Sequence, residues 1–331
     1  MSEYKGIKGF QVQTREQDPS EGIPGDFYYN SSTGQFKTIK TGVGSWSSGG
    51  SVNTARAYGG SSGTSRDAAM YFGGYTIPTN YANTEQYDGT SWTEVADLSN
   101  SRTSIGGFGN SLTAAVAVGG DEFPASSPRY LADVEEWGGS SWTSGTNIPT
   151  ATQMVMGAGT LTAGLAIGGS TAAQTNITTT LEYDGTNWTS GGALNTGKDF
   201  GRISCGVQTA ALVAGAPGYS ATTEQYNGSS WTEVADLNTA GSQGGGGGTY
   251  TSAITSGNVN GGPSANAESW DGTSWTEVGN RSTDGYAVGG AGASNANAIV
   301  FAGFDSAPPS FPTASEEWNL PDFEIKTVTT S

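Results

Sequence analysis

The sequence predicts an all-β chain, folded as a six-bladed β-propeller with an N-terminal β-hairpin extension. Three observations carry this expectation. First, an aromatic residue, an Asp-Gly-type turn and a second aromatic five positions later return along most of the 331 residues. The copies read TEQYDGTSWTEVADL (84–98), VEEWGGSSWTSG (134–145), TLEYDGTNWTSG (180–191), TEQYNGSSWTEVADL (223–237) and AESWDGTSWTEVG (267–279), with a degenerate SEEWNLPDF at 315–323. Second, the spacing within a pair is constant while the spacing between copies drifts from 43 to 50, as for a hairpin inside a repeated module. Third, each unit holds a short apolar run that most often ends in two small residues, such as AAMYFGG (68–74) or TAGLAIGG (162–169). A period of this length with strand chemistry points to radially repeated four-stranded sheets.

Each element follows from local chemistry. The first segment of a unit is Gly-rich, as in GGFGN (106–110) and GGGGGTY (244–250). Small residues suit a strand crowded around a central axis. The second segment is uniformly apolar, as a strand buried on both faces should be. The third carries Glu or Gln before the first aromatic, and the fourth begins at the second aromatic. Asp-Gly and Asn-Gly between them suit a tight hairpin, because these residues tolerate positive φ. The expected cross-hairpin pairs are Tyr87/Trp92, Trp137/Trp142, Tyr183/Trp188, Tyr226/Trp231, Trp270/Trp275 and Trp318/Phe323. Such pairs add about 0.5–1 kcal/mol each, and their main expected role is to fill the rim between blades. An extra copy of the fourth strand stands early, in GSWSSGGSVNTAR (44–56), with Trp46 at the aromatic position. Arg56 and Arg102 each follow their Trp by ten residues, which fixes the register. Trp46 is expected to close the last blade beside Trp318 or to pack outside Phe323. A seven-bladed ring is the alternative, but it needs a further inner pair of strands that the sequence does not supply.

The recurring order (apolar strand, Gly-Gly, aromatic, Trp, period near fifty) resembles kelch repeats over most of the chain. It departs where Gly-Gly becomes Ala-Gly at 214–215 and 302–303, and where the Arg after Trp92 becomes Thr152, Gly241 and Gly285.

Residues 1–43 stand outside the repeat, the propeller is expected over 44–325, and 326–331 form a tail. In GDFYYNSSTGQFK (25–37), aromatics flank an Asn-Ser-Ser-Thr-Gly turn, which predicts a β-hairpin. This string resembles a short hairpin recurring in tail- and fibre-associated proteins of tailed bacteriophages, and the YDGTSWTEV wording is similar to repeats in virion proteins of marine phages. The resemblance implies docking of this segment, through Phe27, Tyr28, Tyr29 and Phe36, to other virion proteins. Five of the 13 basic residues lie in the first 40 positions, so this end is near neutral while the rest carries the negative charge. A distinct electrostatic face suits a docking partner. FEIKTVTTS (323–331) is expected to pair with the hairpin or with another subunit.

The residue inventory argues against several chemistries. The net charge of −17 disfavours nucleic acid and anionic membranes. No run is long and apolar enough for a transmembrane helix or a signal peptide, so folding in a bacterial cytoplasm is expected. The chain has no histidine, which removes the commonest general base and transition-metal ligand. Sialidase-type propellers need three clustered arginines, whereas the seven here are scattered, and the Asp-Gly of DGTSW has the wrong spacing for their turn. GGGGG (244–248) lacks the Lys-Ser/Thr of a phosphate loop. Asp88, Asp184 and Asp271 give one oxygen donor per turn, too few for calcium. Cys205, the single cysteine, sits among small residues as a buried thiol would.

The expected function is therefore non-enzymatic and without a cofactor. The resemblance to phage proteins implies a structural component of a tailed-phage virion, assembled in the host bacterial cytoplasm into a homo- or hetero-oligomer. The alternative is a carbohydrate-binding propeller that meets a host surface glycan through Tyr81, Phe123 and Tyr130 in its variable loops.

Overall fold

The computed structural model describes residues 12–122, 130–218, 220–306, 309–321 and 323–328. Phe123 lies outside them. The described residues are built from strands and turns, with no helix. The chain forms two compact units: Trp46–Asn319, and the residues before Trp46 together with those after Asn319.

The larger unit is a propeller-like all-β fold. Among the described residues it holds six antiparallel four-stranded sheets. Five are formed from consecutive strands: Gly60–Ser65, Ala68–Phe72, Thr84–Tyr87 and Trp92–Val95 in the first; Gly106–Ser111, Ala114–Val118, Val134–Trp137 and Trp142–Ser144 in the second. The third, fourth and fifth begin at Met156, Ile203 and Gly245. The sixth takes Gly289–Ser294, Asn297–Phe301 and Ser315–Asn319, and its outer strand is Ser45–Ser48 from the far end of the sequence. In each sheet the second strand is buried along nearly its whole length, which explains its unbroken apolar run.

The first strands lie side by side in chain order, and the sixth also contacts the first. Their glycines permit this. A Cβ on Gly107 would stand 2.4 Å from the Ser61 carbonyl oxygen, and one on Gly157 would stand 2.3 Å from that of Gly107. The hairpin turns are held by side chains: Asp88, Asp184, Asn227 and Asp271 each accept two backbone N–H bonds through Oδ1. This accounts for the recurring Asp without a cation.

In the smaller unit, Gln13–Arg15 pairs in parallel with Phe27–Asn30, which pairs antiparallel with Gln35–Thr41, which pairs antiparallel with Phe323–Thr327. The expected hairpin therefore forms, with Tyr29 opposite Phe36, and the C-terminal strand extends it. Two expectations are corrected. Phe323 is not the partner of Trp318: its ring lies beside Gly22 and Ile39 in the smaller unit. Trp46 stands against Trp318 instead, with ring centroids 5.3 Å apart. The boundary expected at 325 accordingly falls at Asn319. The alternating β-formers from Phe323 find a free edge on the hairpin, which is the physical reason.

Candidate functional site

The six rim pairs, with Trp46/Trp318 as the sixth, have ring centroids 4.5–5.5 Å apart. They belong to the seams between sheets. Every second aromatic gives its indole N–H to the preceding sheet or the connector leaving it. Trp92, Trp142, Trp231 and Trp275 donate to the hydroxyls of Ser315, Thr84, Thr180 and Thr223. Where that position is Val134 or Ala267, Trp188 and Trp46 donate instead to the Thr146 and Gly279 carbonyls.

The first aromatic obeys a second rule. Tyr87, Tyr183 and Tyr226 donate their hydroxyls to Glu317, Glu136 and Glu182 of the preceding sheet. Where the aromatic is Trp137 or Trp270, the residue of the preceding sheet that corresponds to these glutamates is Gln86 or Gln225. Gln and Trp then converge on one carbonyl, that of Leu112 or Tyr250.

Beneath the rim, a glutamate two places before the first aromatic binds the incoming connector. Glu85 accepts from the backbone N–H groups of Asn53 and Thr54 and forms a fully buried ion pair with Arg56 at 2.5 Å. Glu135 pairs with Arg102, Glu224 with Lys198, and Glu268 with Arg202. Burial lowers the pKa of Arg102, Lys198 and Arg202, and their glutamates oppose that shift. The departures noted in the sequence now have a cause. At Thr152 a base would meet no carboxylate, because Leu181 replaces the glutamate of the third sheet, and the Thr152 hydroxyl donates to the Thr150 carbonyl instead. Gly241 leaves its place to Arg202, reaching from the preceding sheet. Arg281 faces Glu316, and burial pulls its guanidinium down to about 10. Glu135 and Glu136, adjacent in sequence, thus serve Arg102 and Tyr183 on opposite faces of their strand.

Of the expected glycan contacts, Tyr81 is half-buried and its hydroxyl lies 3.0 Å from Thr76 Oγ1, bracing the short ribbon of Tyr75–Thr76 and Thr79–Asn80. Tyr130 is half-buried and bridges to Asp121. Neither forms an open platform. Of the expected docking aromatics, Tyr28 is buried and donates to Asp18, whereas Phe27 and Phe36 are 43% and 45% exposed and stack at 5.3 Å. Tyr29 lies against Phe36 on the same face.

The first strands line a channel of about 150 Å³, in which glycine is the commonest lining residue, with Ser61 and Ser204. Cys205 is buried near it, and burial raises its thiol to about 12, so it stays protonated at neutral pH. Among the described residues no cluster of His, Cys, Asp or Glu is placed to hold a metal ion.

One end of this channel is built differently. Just before each first strand stands a non-glycine residue at positive φ: Tyr58, Ser104, Met154, Phe200, Gln243 and Ala287. Their peptides form a cycle of hydrogen bonds. Ser104 N–H donates to Tyr58 C=O, Met154 to Ser104, Phe200 to Met154, Gln243 to Phe200, Ala287 to Gln243, and Tyr58 to Ala287. The left-handed conformation costs a side-chain-bearing residue roughly 1–2 kcal/mol. Glycine would avoid that cost, yet a chain with 53 glycines places none at these six positions.

Tyr58 reaches across this mouth. Its hydroxyl donates to Gln243 Oε1 at 3.2 Å, and its ring meets Phe200 edge-on at 5.4 Å. From there the rings continue through Tyr75, Phe311, Phe304 and Tyr286, with successive centroids 5.1–6.0 Å apart. All six are half-buried. Burial raises the Tyr58 hydroxyl's pKa, and the nearby Tyr286 and Tyr75 raise it further. This aromatic mouth escaped the reading of the sequence because its positions hold an aromatic in only one or two of the units, as Tyr58 and Phe200 stand where Ser104, Met154, Gln243 and Ala287 stand elsewhere. A signal existed: Tyr58 precedes Gly59-Gly60, Phe200 precedes Gly201, and Tyr75 and Phe304 directly follow the small pair that ends the second strand.

Comparison with protein-family models and with curated proteins found no match.

Proposed function

We propose that the chain is a non-enzymatic structural protein of a tailed-phage virion. In this reading the six sheets are the blades of a closed kelch-like propeller, and the cycle of mouth hydrogen bonds with the outer strand Ser45–Ser48 supports that closure. The smaller unit attaches the propeller to another virion protein. The observation that carries the attachment role is the exposed face of the small sheet, where Phe27 and Phe36 stack in the open beside Tyr29. Contiguous exposed aromatics mark interaction surfaces. The phage assignment itself comes from the likeness of GDFYYNSSTGQFK to tail and fibre hairpins. Immunogold labelling of purified particles with antibody to the propeller tests it. Regular decoration of head, tail or fibre is expected, and it should vanish in a Phe27→Ser/Phe36→Ser variant whose propeller still folds. Protein found free in the lysate, with bare particles, overturns the reading.

A carbohydrate-binding role is the second reading. It is favoured by the half-buried aromatic mouth rather than by Tyr81 and Tyr130.

A further inference from the structure

We propose that the aromatic mouth formed by Tyr58, Tyr75, Phe200, Tyr286, Phe304 and Phe311 is a binding site for a neutral carbohydrate. This rests on the carbohydrate-binding reading and gives it a place and a ligand class.

Four observations converge. The rings form one continuous run, and each remains partly open, whereas nine of the twelve rim aromatics are buried. Aromatic rings with hydroxyl tips offer what a sugar needs: apolar faces for its C–H surfaces and polar groups for its hydroxyls. The tyrosines and Gln243 supply those polar groups around the channel end. Tyr58 and Phe200 hold the strained left-handed conformation in which glycine would be easier, and retained strain points to a use for the side chain.

Charge decides the class of sugar. Trp46–Asn319 contains seven basic and 23 acidic residues, a net charge of −16. Five of the seven bases, namely Arg56, Arg102, Lys198, Arg202 and Arg281, are buried. Four of them are paired with buried glutamates and Arg281 donates to Ser256, so none stands at the surface for a ligand. Asp305 stands near enough to Tyr286 to act on it electrostatically. A sialylated or phosphorylated glycan would meet uncompensated negative charge, whereas a neutral hexose or N-acetylhexosamine would not.

The test screens the full-length protein on an array of neutral oligosaccharides of glucose, galactose, mannose and N-acetylglucosamine beside sialylated and phosphorylated ones. The best binder is then titrated calorimetrically into wild type, Tyr75→Ala, Phe311→Ala and the control Phe36→Ala. Binding of a neutral oligosaccharide is expected, at least tenfold weaker in the two mouth variants and unchanged in the control. Thermal melting checks the fold. If Tyr75→Ala melts early, Phe311→Ala together with Tyr286→Phe decides. Equal affinity in folded mouth variants overturns the site while leaving sugar binding in place. Binding of anionic glycans alone overturns the neutral class. No binding to any glycan overturns both this proposal and the carbohydrate reading, and leaves attachment through Phe27 and Phe36 untouched.

Discussion

The rim and the mouth of the larger unit both rely on aromatic side chains, and they use them in opposite ways. At the rim, Trp137, Trp270 and Trp318 are almost fully buried, and each rim indole N–H is taken by a neighbouring hydroxyl or carbonyl. At the mouth, six rings stay half-open at positions whose residue type changes from unit to unit. Periodic aromatics have identical neighbours in every repeat, so packing explains each of them. Aromatics that fill a repeated position in only one or two units are not explained by the packing of the repeat. That contrast is what separates scaffold from candidate site in a chain where both are made of Tyr, Trp and Phe.

The largest test of the contrast is truncation. Trp270→Ala removes a buried indole and is expected to destabilise by about 3–5 kcal/mol in urea unfolding. Phe311→Ala should cost less than about 1.5 kcal/mol, since its ring is partly exposed. Equal costs would mean that the mouth is as much a packing element as the rim.

The ion pairs under the rim come next. Arg56→Met strands Glu85 in a dry site and should cost about 3–5 kcal/mol. Adding Glu85→Leu removes the stranded charge, as Leu181 does in the third sheet, and should restore part of the loss, the Asn53 and Thr54 N–H groups being left without their acceptor. A double variant as unstable as the single one would show that the pair itself, and not its completeness, stabilises the seam.

A smaller effect concerns the Tyr–Glu and Trp–Gln rule. Tyr183→Trp and Glu136→Gln should each destabilise, and the double variant should recover about 1 kcal/mol of coupling, the range found for touching side chains. Additive losses would break the rule.

The smallest effect is in the turns. The Thr273 hydroxyl, then the Ser274 and Thr273 backbone N–H groups, hold the Asp271 carboxyl down to about 2. Its folded pKa is below its unfolded value, so its stabilisation is fully present above about pH 4 and is lost as pH falls through 2. Asp271→Asn keeps an acceptor, as Asn227 does naturally, but not the charge, so it should flatten the acid limb of the stability curve by lowering the neutral value toward the acid one. An unchanged acid limb would mean that the turn does not sense the proton.

Much of this architecture was legible. The second strands announced their burial through unbroken apolar runs, and Asp-Gly marked each hairpin. The constant spacing of Tyr87/Trp92 and its successors placed the third and fourth strands of five sheets. The N-terminal hairpin and its turn were likewise readable from Phe27 to Lys37. These features follow from contacts between residues close in sequence, where side-chain type and backbone preference act directly.

What escaped reading depends on residues brought together from afar. Phe323 looked like the partner of Trp318 because it keeps the interval of five, yet Trp46 holds that place, and Phe323 joins a strand beside Gln35–Thr41. The alternation of FEIKT serves either site equally, and only the free edge of the hairpin selects between them. Arg202 takes the part that Gly241 leaves vacant, a substitution visible only across a seam. Tyr58 and Phe200 stand 142 residues apart and meet at 5.4 Å because the first strands that follow them pack side by side through the intervening sheets. Local pattern determines strands and turns because their hydrogen bonds and burial repeat over a few residues. Which distant side chains share a seam or a mouth is set by how the sheets are arranged, and no short window of the chain carries that information.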